Sequence, residues 1–213
     1  MSVESAYDQW SEQYDTNINR TRDLEAVGLC TLLKELPFSR CLEIGCGTGK
    51  NTEWLLKRAK HITAVDLSEG MLAKAREKIV SDRVRFVQAD ILQPWTFRDG
   101  VYDLVTFSLV LEHIEELGPV LKQAVLSLAP GGHVYIGELH PFKQYLGTKA
   151  RFETEGGTQE VSCFVHHVSD FLNAASSNGL ELVHLTEHFD QDPNAPPRIL
   201  SMLFKNDEKG MER

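Results

Sequence analysis

Residues 42–49 read Leu-Glu-Ile-Gly-Cys-Gly-Thr-Gly, and the next apolar run, His61 to Asp66, ends in a carboxylate. A buried strand runs into a glycine loop, a helix follows, and a second strand ends in an acid. That arrangement builds a nucleotide-type pocket with a place for a ribose. A turn alone needs one or two glycines. Three alternating ones (Gly45, Gly47, Gly49) imply close approach of the backbone to a ligand.

The spacing narrows the ligand. A dinucleotide fingerprint needs G-x-G-x-x-G, and the third position here is Lys50. A phosphate-binding P-loop also fails, because Ile44 stands where its first glycine belongs and Asn51 replaces its Ser/Thr. A pyrophosphate sits on a bare helix N-terminus, which favours negative charge. Glu43, at the strand tip, is expected to repel it and to suit a cationic ligand instead.

Composition sets outer limits. The chain has 213 residues, 42% apolar and 25% charged, with a net charge of -9. That is enough for one sizeable core and short of two typical domains. An acidic chain without a segregated basic patch repels nucleic acid and anionic membrane. No apolar run approaches the roughly 18 residues of a membrane span. The polar start, Met-Ser-Val-Glu-Ser-Ala-Tyr-Asp, is no secretory signal. Cys30, Cys41, Cys46 and Cys163 lack C-x-x-C spacing, and free thiols in the cytoplasm are expected. No metal is implied.

Periodicity supplies the architecture. Tyr7, Trp10 and Tyr14 share one face of a helix expected within residues 4–20. Leu29, Leu32, Leu33 and Leu36 mark a second helix, stopped by Pro37. Strands are expected at Cys41–Gly45, His61–Asp66, Val84–Gln88, Tyr102–Ser108 and Val134–Leu139. Helices are expected at 50–59, after Ser68, and around Leu117–Ala124, and a turn at Pro130–Gly132. Such alternation gives a doubly wound α/β fold with a parallel sheet, and ligands bind at the carboxyl ends of its strands. Glu43, Asp66, Asp90, Ser108 and His140 all fall there. The stretch 141–167 breaks the rhythm with a hairpin around Gly156-Gly157. A helix at Ser169–Asn178, capped by Ser169, and an antiparallel pair, Leu180–Phe189 and Arg198–Phe204, follow. Residues from Asn206 are expected to fray.

The segments LEIGCGTGKNT (42–52), AVDLSEGML (64–72), VRFVQADI (84–91), YDLVTFSLVLEHI (102–114) and LAPGGHVYIGEL (128–139) resemble the class I S-adenosylmethionine-dependent methyltransferases. The N-terminal YDQWSEQYD resembles the opening helix of their small-molecule branch, which includes ubiquinone/menaquinone and malonyl-carrier-protein methyltransferases. The resemblance implies a Rossmann-like seven-stranded sheet with its last strand antiparallel, in one domain spanning 1–213. Residues 1–37 would form a helical cap and 141–167 a substrate lid with an inserted hairpin.

The resemblance also implies a cofactor, S-adenosyl-L-methionine, and roles for matched residues. Gly45, Cys46, Gly47 and Gly49 would face the methionine portion, and Glu43 its ammonium through water. Asp66 would take both ribose hydroxyls. Leu67 and Met71 would cover the adenine, and Asp90 with Ile91 would hold its amino group. Ser108 would lie near the methionine end, and Tyr14 would close over the cofactor.

Methyl transfer to an O or N atom of a small organic acceptor is then the expected activity. His140 and His113 are the candidate bases. The Asn/Asp-Pro-Pro-aromatic tetrad of amino-group methyltransferases is absent, since Ser108-Leu109-Val110-Leu111 stands there. That, with the acidic charge, points away from nucleic acid. A non-catalytic cofactor-binding partner subunit and a nicotinamide-dependent oxidoreductase remain as alternatives. Acceptor identity and oligomeric state are not legible.

Overall fold

The computed structural model describes residues 2–16, 18–154, 157–192 and 194–206. Helices α1 (Val3–Trp10) and α2 (Arg20–Leu33) precede strand β1 (Arg40–Ile44). Then come α3 (Lys50–Leu55), β2 (His61–Asp66), α4 (Glu69–Lys78), β3 (Val84–Gln88) and β4 (Tyr102–Ser108). A 3-10 turn (Leu111–His113), α5 (Leu117–Val125), β5 (Leu128–Leu139) and α6 (Pro141–Tyr145) follow. Last are β6 (Arg151–Thr154), β7 (Gly157–Glu160), α7 (Val168–Ser177), β8 (Leu180–His188) and β9 (Ile199–Asn206).

Seven strands form one sheet in the order β3-β2-β1-β4-β5-β9-β8. The five leading strands are parallel, and β9 inserts antiparallel between β5 and β8. This is the Rossmann-like, seven-stranded α/β fold expected, with its last strand reversed. The central strands are apolar on both sides, as β1 and β2 show (Leu42, Ile44, Ile62, Ala64 and Val65 are all buried). Two-sided burial follows from helices on both faces. One face packs Leu29, Leu33, Leu55 and Leu72 from α2, α3 and α4 against Tyr135 and Leu203. The other packs Val120, Leu121, Ala124, Phe171 and Ala175 from α5 and α7. Trp95 and Phe97 fill the same face from an irregular segment, with rings stacked at 5.4 Å. Burial of each such ring is worth about 4–6 kcal/mol at 25 cal/mol per Å².

Several boundaries differ from the sequence expectation. The helix within 4–20 stops at Trp10, where Ser11 turns its hydroxyl onto the Asp8 carbonyl (2.7 Å). Helix α2 restarts with Asn19 as its cap, accepting from the Arg22 amide. Cap-forming side chains compete with continuous helix. The three rings still cluster, Tyr7 on Trp10 at 5.6 Å and Trp10 on Tyr14 at 4.9 Å. The helix expected over 50–59 ends at Leu55. Pro130–Gly132 is not a turn between elements. It lies in a bulge of β5, since Tyr102 pairs with Leu128 while Leu104 pairs with His133. His167, not Ser169, precedes α7, and its amide is bonded to Asp170 Oδ2 (2.8 Å). The hairpin forms between β6 and β7, while 155–156 at its tip lie outside the described residues. Asn206 belongs to β9 and is buried; the expected fraying beyond it falls on 207–213, outside the described residues. No helix among the described residues is long and apolar enough to cross a membrane.

Candidate functional site

A cavity of about 270 Å³ opens at the carboxyl ends of β1, β2 and β4. Its floor is the glycine loop. Backbone amides of Gly45 and Cys46 both donate to the Val65 carbonyl (2.8 and 3.0 Å), which ties the loop to β2. Gly45 and Gly47 have φ of 72° and 53°, in the region that disfavours side chains. A Cβ at Gly45 would lie 1.9 Å from Val110 Cγ2, so no other residue fits there. At Gly47 a Cβ would meet nothing within 4 Å, so the backbone lies bare towards the cavity. Gly49 serves a different purpose: it lets the start of α3 pack on Ile79 and Ala75 of α4.

Asp66 fixes this floor. Its Oδ2 accepts from the Gly47 amide (2.8 Å) and its Oδ1 from the Ser68 amide (2.9 Å). A carboxylate has about four lone-pair sites, so each oxygen keeps one for a ligand hydroxyl. Burial pushes the Asp66 carboxyl above its ordinary value, and the backbone donors oppose that shift. Asp90 Oδ1 accepts from the Leu92 amide (2.9 Å) in a tight turn that also brings Ile91 to the cavity. Leu67, Met71, Ala89 and Ile91 supply an apolar slot between the two acids. Ser108 also lines the cavity; its Oγ lies near the buried Glu25 carboxyl without a hydrogen bond of sound geometry.

Helix α1 and the turn after it form the roof. Val3, Tyr7 and Tyr14 line the cavity, and Tyr14 is pushed up to about 12, chiefly by burial. Asp8 holds the roof to α4, accepting from Ser68 Oγ (2.5 Å) and the Gly70 amide (3.0 Å). Asp15 holds it to the floor through Thr48 Oγ1 (2.7 Å) and an ion pair with Lys78.

The far wall comes from the chain after β4. Leu109 has φ 56°, strained for a leucine, with its amide on the Gly137 carbonyl (2.8 Å). Buried Glu138 then accepts from the amides of Val110 (2.9 Å) and Leu111 (2.8 Å) through Oε1. Burial, and next the nearby Glu112, push Glu138 up to about 8. This clamp sets the turn that carries His113 into the cavity. His113 Nε2 is 2.9 Å from Tyr7 Oη, and Nδ1 is 2.8 Å from the Ser162 carbonyl. Donor atoms of Glu112, His113 and Cys163 lie within 4.8 Å of one another, but both imidazole nitrogens are already engaged.

Of the residues expected at the site, Tyr14, Gly45, Gly47, Asp66, Leu67, Met71, Asp90, Ile91, Ser108 and His113 line this one cavity. Glu43, Cys46, Gly49 and His140 do not. Glu43 lies buried beneath the loop, where Thr52 Oγ1 donates to it (2.6 Å) and burial pushes its carboxyl up to about 8. Its direct partner is thus Thr52 of α3. Cys46 packs into the core. His140 caps α6 through Nδ1 (3.1 Å from the Phe142 amide), while Nε2 pairs with Glu187 (3.0 Å) across to β8. Among the described residues, none of the 141–167 insertion lines the cavity. Its contribution is indirect, through Ser162 behind His113 and Val161 under the roof. The sequence reading missed Tyr7 as a site residue, Leu109 and Glu138. Only Tyr7 left a signal, as the first ring of the Tyr7-Trp10-Tyr14 face.

Comparison with known proteins agrees with this geometry. The family model described as "Methyltransferase domain" matches residues 42–136. A ubiquinone biosynthesis O-methyltransferase of Marinobacter nauticus is 30% identical over 163 residues, covering 71% of this chain and 67% of that protein. A demethylmenaquinone methyltransferase of Clavibacter sepedonicus is 34% identical over 145 residues, 64% of this chain and 57% of its own length. The chain thus spans somewhat less than two thirds of that relative. Among solved structures, the N-methyltransferase NodS of Bradyrhizobium japonicum, in complex with S-adenosyl-L-homocysteine, superposes with a TM-score of 0.73. It is 22% identical and covers 98% of this chain and 100% of that one. At that identity the likeness speaks to the fold. With the ordered motifs, the sheet order and the cavity, the chain belongs to the class I S-adenosylmethionine-dependent methyltransferases of the small-molecule group, enzymes whose methyl donor is that cofactor.

Proposed function

We propose that this enzyme moves a methyl group to an oxygen or nitrogen of a small organic acceptor, with His113 as the general base. One observation carries the reading: a single cavity is lined both by the glycine loop with Asp66 and by the hydrogen-bonded Tyr7–His113 pair. Open space at Gly47 and the free lone pairs of Asp66 fit an adenosyl cofactor. Asp66 takes the ribose hydroxyls. Leu67 and Met71 cover the adenine, and Asp90 with the Ile91 backbone meets its amino edge. Tyr14 closes over the top. When bound, the cofactor supplies an electrophilic methyl on a sulfonium. The chain's task is then to hold the acceptor in line and exclude water, an effect worth roughly 7–11 kcal/mol of barrier.

The acceptor end supports an uncharged molecule. Leu109, Val110 and Ile114, beside His113 in the chain, line the same cavity, and no Lys or Arg is among the described lining residues. Relatives named as O-methyltransferases favour oxygen over nitrogen. The net charge of -9 and the missing amino-methyltransferase tetrad support a small acceptor in the cytoplasm rather than nucleic acid. Residues 1–37 serve as the cap over the cofactor and 141–167 as the segment that braces the acceptor wall.

Calorimetry with S-adenosylmethionine, S-adenosylhomocysteine and NAD tests the donor, and a broad acceptor panel tests the reaction. Binding of both sulfur compounds with methyl transfer to a hydroxyl or amine is the expected result. NAD binding alone would overturn the reading, and donor binding with no transfer to any acceptor would favour a non-catalytic subunit.

A further inference from the structure

For a neutral imidazole, the hydrogen bonds behind the acceptor wall have one consistent polarity. The Ser162 carbonyl can only accept, so His113 Nδ1, 2.8 Å away, carries the hydrogen of the neutral ring. Nε2 is then a bare lone pair. Tyr7 Oη, 2.9 Å from it, donates its hydrogen there. The Tyr7 oxygen is left with its lone pairs alone to present to the cavity that it lines. Tyr7 has little freedom to turn away: its ring stacks on Trp10 at 5.6 Å and meets His113 edge-on at 5.4 Å.

We propose that Tyr7 is a catalytic residue, the first member of a phenol–imidazole relay that selects acceptors bearing a hydrogen on the reacting atom. This rests on the methyltransferase reading of the cavity. An acceptor hydroxyl donates to the Tyr7 oxygen, which aligns the reacting oxygen. During transfer its proton passes to Tyr7 as the Tyr7 proton passes to His113 Nε2. The oxygen–methyl bond forms as the carbon–sulfur electron pair returns to sulfur. The one proton released ends on the imidazolium. Glu112 is the carboxyl nearest that charge: its Oε1 lies 4.0 Å from Nε2, both side chains are 93% buried, and, although burial pushes its carboxyl up, the His113 charge opposes that shift. Burial pushes the Tyr7 phenol well above its ordinary value, so it shuttles a proton rather than resting as phenolate. The other titratable groups facing the pair are Tyr14 beside it on the roof, Asp66 at the end of β2 and Cys163 after β7. A carboxylate acceptor finds no donor at this end and no cation in the described lining, so it is disfavoured.

The test has an arm that needs no acceptor. Protein labelled with ¹⁵N-histidine is compared at pH 8 as wild type and Tyr7→Phe, with His113→Gln for assignment. The expected result is an Nδ1–H tautomer in both proteins, with the Nε2 signal moving downfield in Tyr7→Phe as its donor is lost. In the second arm, a catechol, an aniline and a benzoate serve as probes. Tyr7→Phe should lower kcat on the catechol by about 10²-fold. An Nε2–H tautomer, an unmoved Nε2 signal, undiminished kcat in Tyr7→Phe, or preference for the benzoate would each overturn the relay. If no probe is methylated, the nitrogen signals decide. Failure of the methyltransferase reading itself is separate, and shows as wild-type protein that does not bind S-adenosylmethionine.

Discussion

Glu138→Gln should stabilise this protein, and by an amount that grows with pH. Glu138 is buried on β5 and clamps the amides of Val110 and Leu111 through Oε1. Its carboxyl rises from 4.5 to about 8 in the fold, chiefly through burial and then through Glu112. Between those two values the native state holds a proton that the unfolded chain has released, so stability falls as pH rises through this window. A rise of that size corresponds to roughly 5 kcal/mol once Glu138 is fully ionised, and about 3 kcal/mol has been lost by pH 7. Glutamine keeps an oxygen for the two amides and cannot ionise. The variant should match wild type at pH 4.5 and exceed it by about 3 kcal/mol at pH 7. At this chain length that raises Tm by roughly 10 °C. Urea unfolding of both proteins at pH 4.5, 6, 7 and 8 measures it. A gap that stays constant with pH would refute the argument. Glu138→Ala provides the contrast, losing about 2–5 kcal/mol at pH 4.5 because two buried amides are left unpaired, a deficit that shrinks by about 3 kcal/mol at pH 7 because alanine cannot ionise either.

Three further outcomes follow from the site. Asp66→Ala should weaken S-adenosylhomocysteine binding by about 10²-fold in calorimetry, through the lost ribose partner and a slackened loop. Gly45→Ala should fail to fold stably, because its methyl collides with Val110; Gly47→Ala should cost only about 1–2 kcal/mol of stability in thermal melts. Its methyl nevertheless points into the cavity, so cofactor affinity should drop out of proportion. His140→Ala should lose about 1 kcal/mol with the α6 cap and leave single-turnover methyl transfer unchanged, whereas a large fall in that rate would return His140 to the mechanism.

The five parallel strands were legible because each is a short apolar run bounded by glycine, serine or an acid. Asp66 was legible because strand ends in this architecture face the ligand. Trp95 and Phe97 were not, since an irregular segment carries no period to reveal which rings point inward. The placement of Glu43 was not legible for a related reason. A strand alternates its faces, so position at the strand tip does not say whether the side chain turns to the ligand or under the helix. There, Thr52 captures it. His140 likewise stands at a strand end, but the antiparallel insertion of β9 brings β8 within reach, and Glu187 takes its ring. The Tyr7–His113 contact joins residues 106 positions apart, and nothing local in either segment announces it.

The roof has a kinetic meaning. Asp8 and Asp15 fasten α1 and its following turn to the N-terminus of α4 and to the glycine loop, the two segments proposed to hold the cofactor. Val3, Tyr7 and Tyr14 line the cavity from this side, so on the proposed reading the fastenings bear on how the spent cofactor leaves. On that reading, release of product involves the docking of a helix eight residues long as well as the chemical step. Asp8 and Asp15 would then influence product residence time although neither lines the cavity.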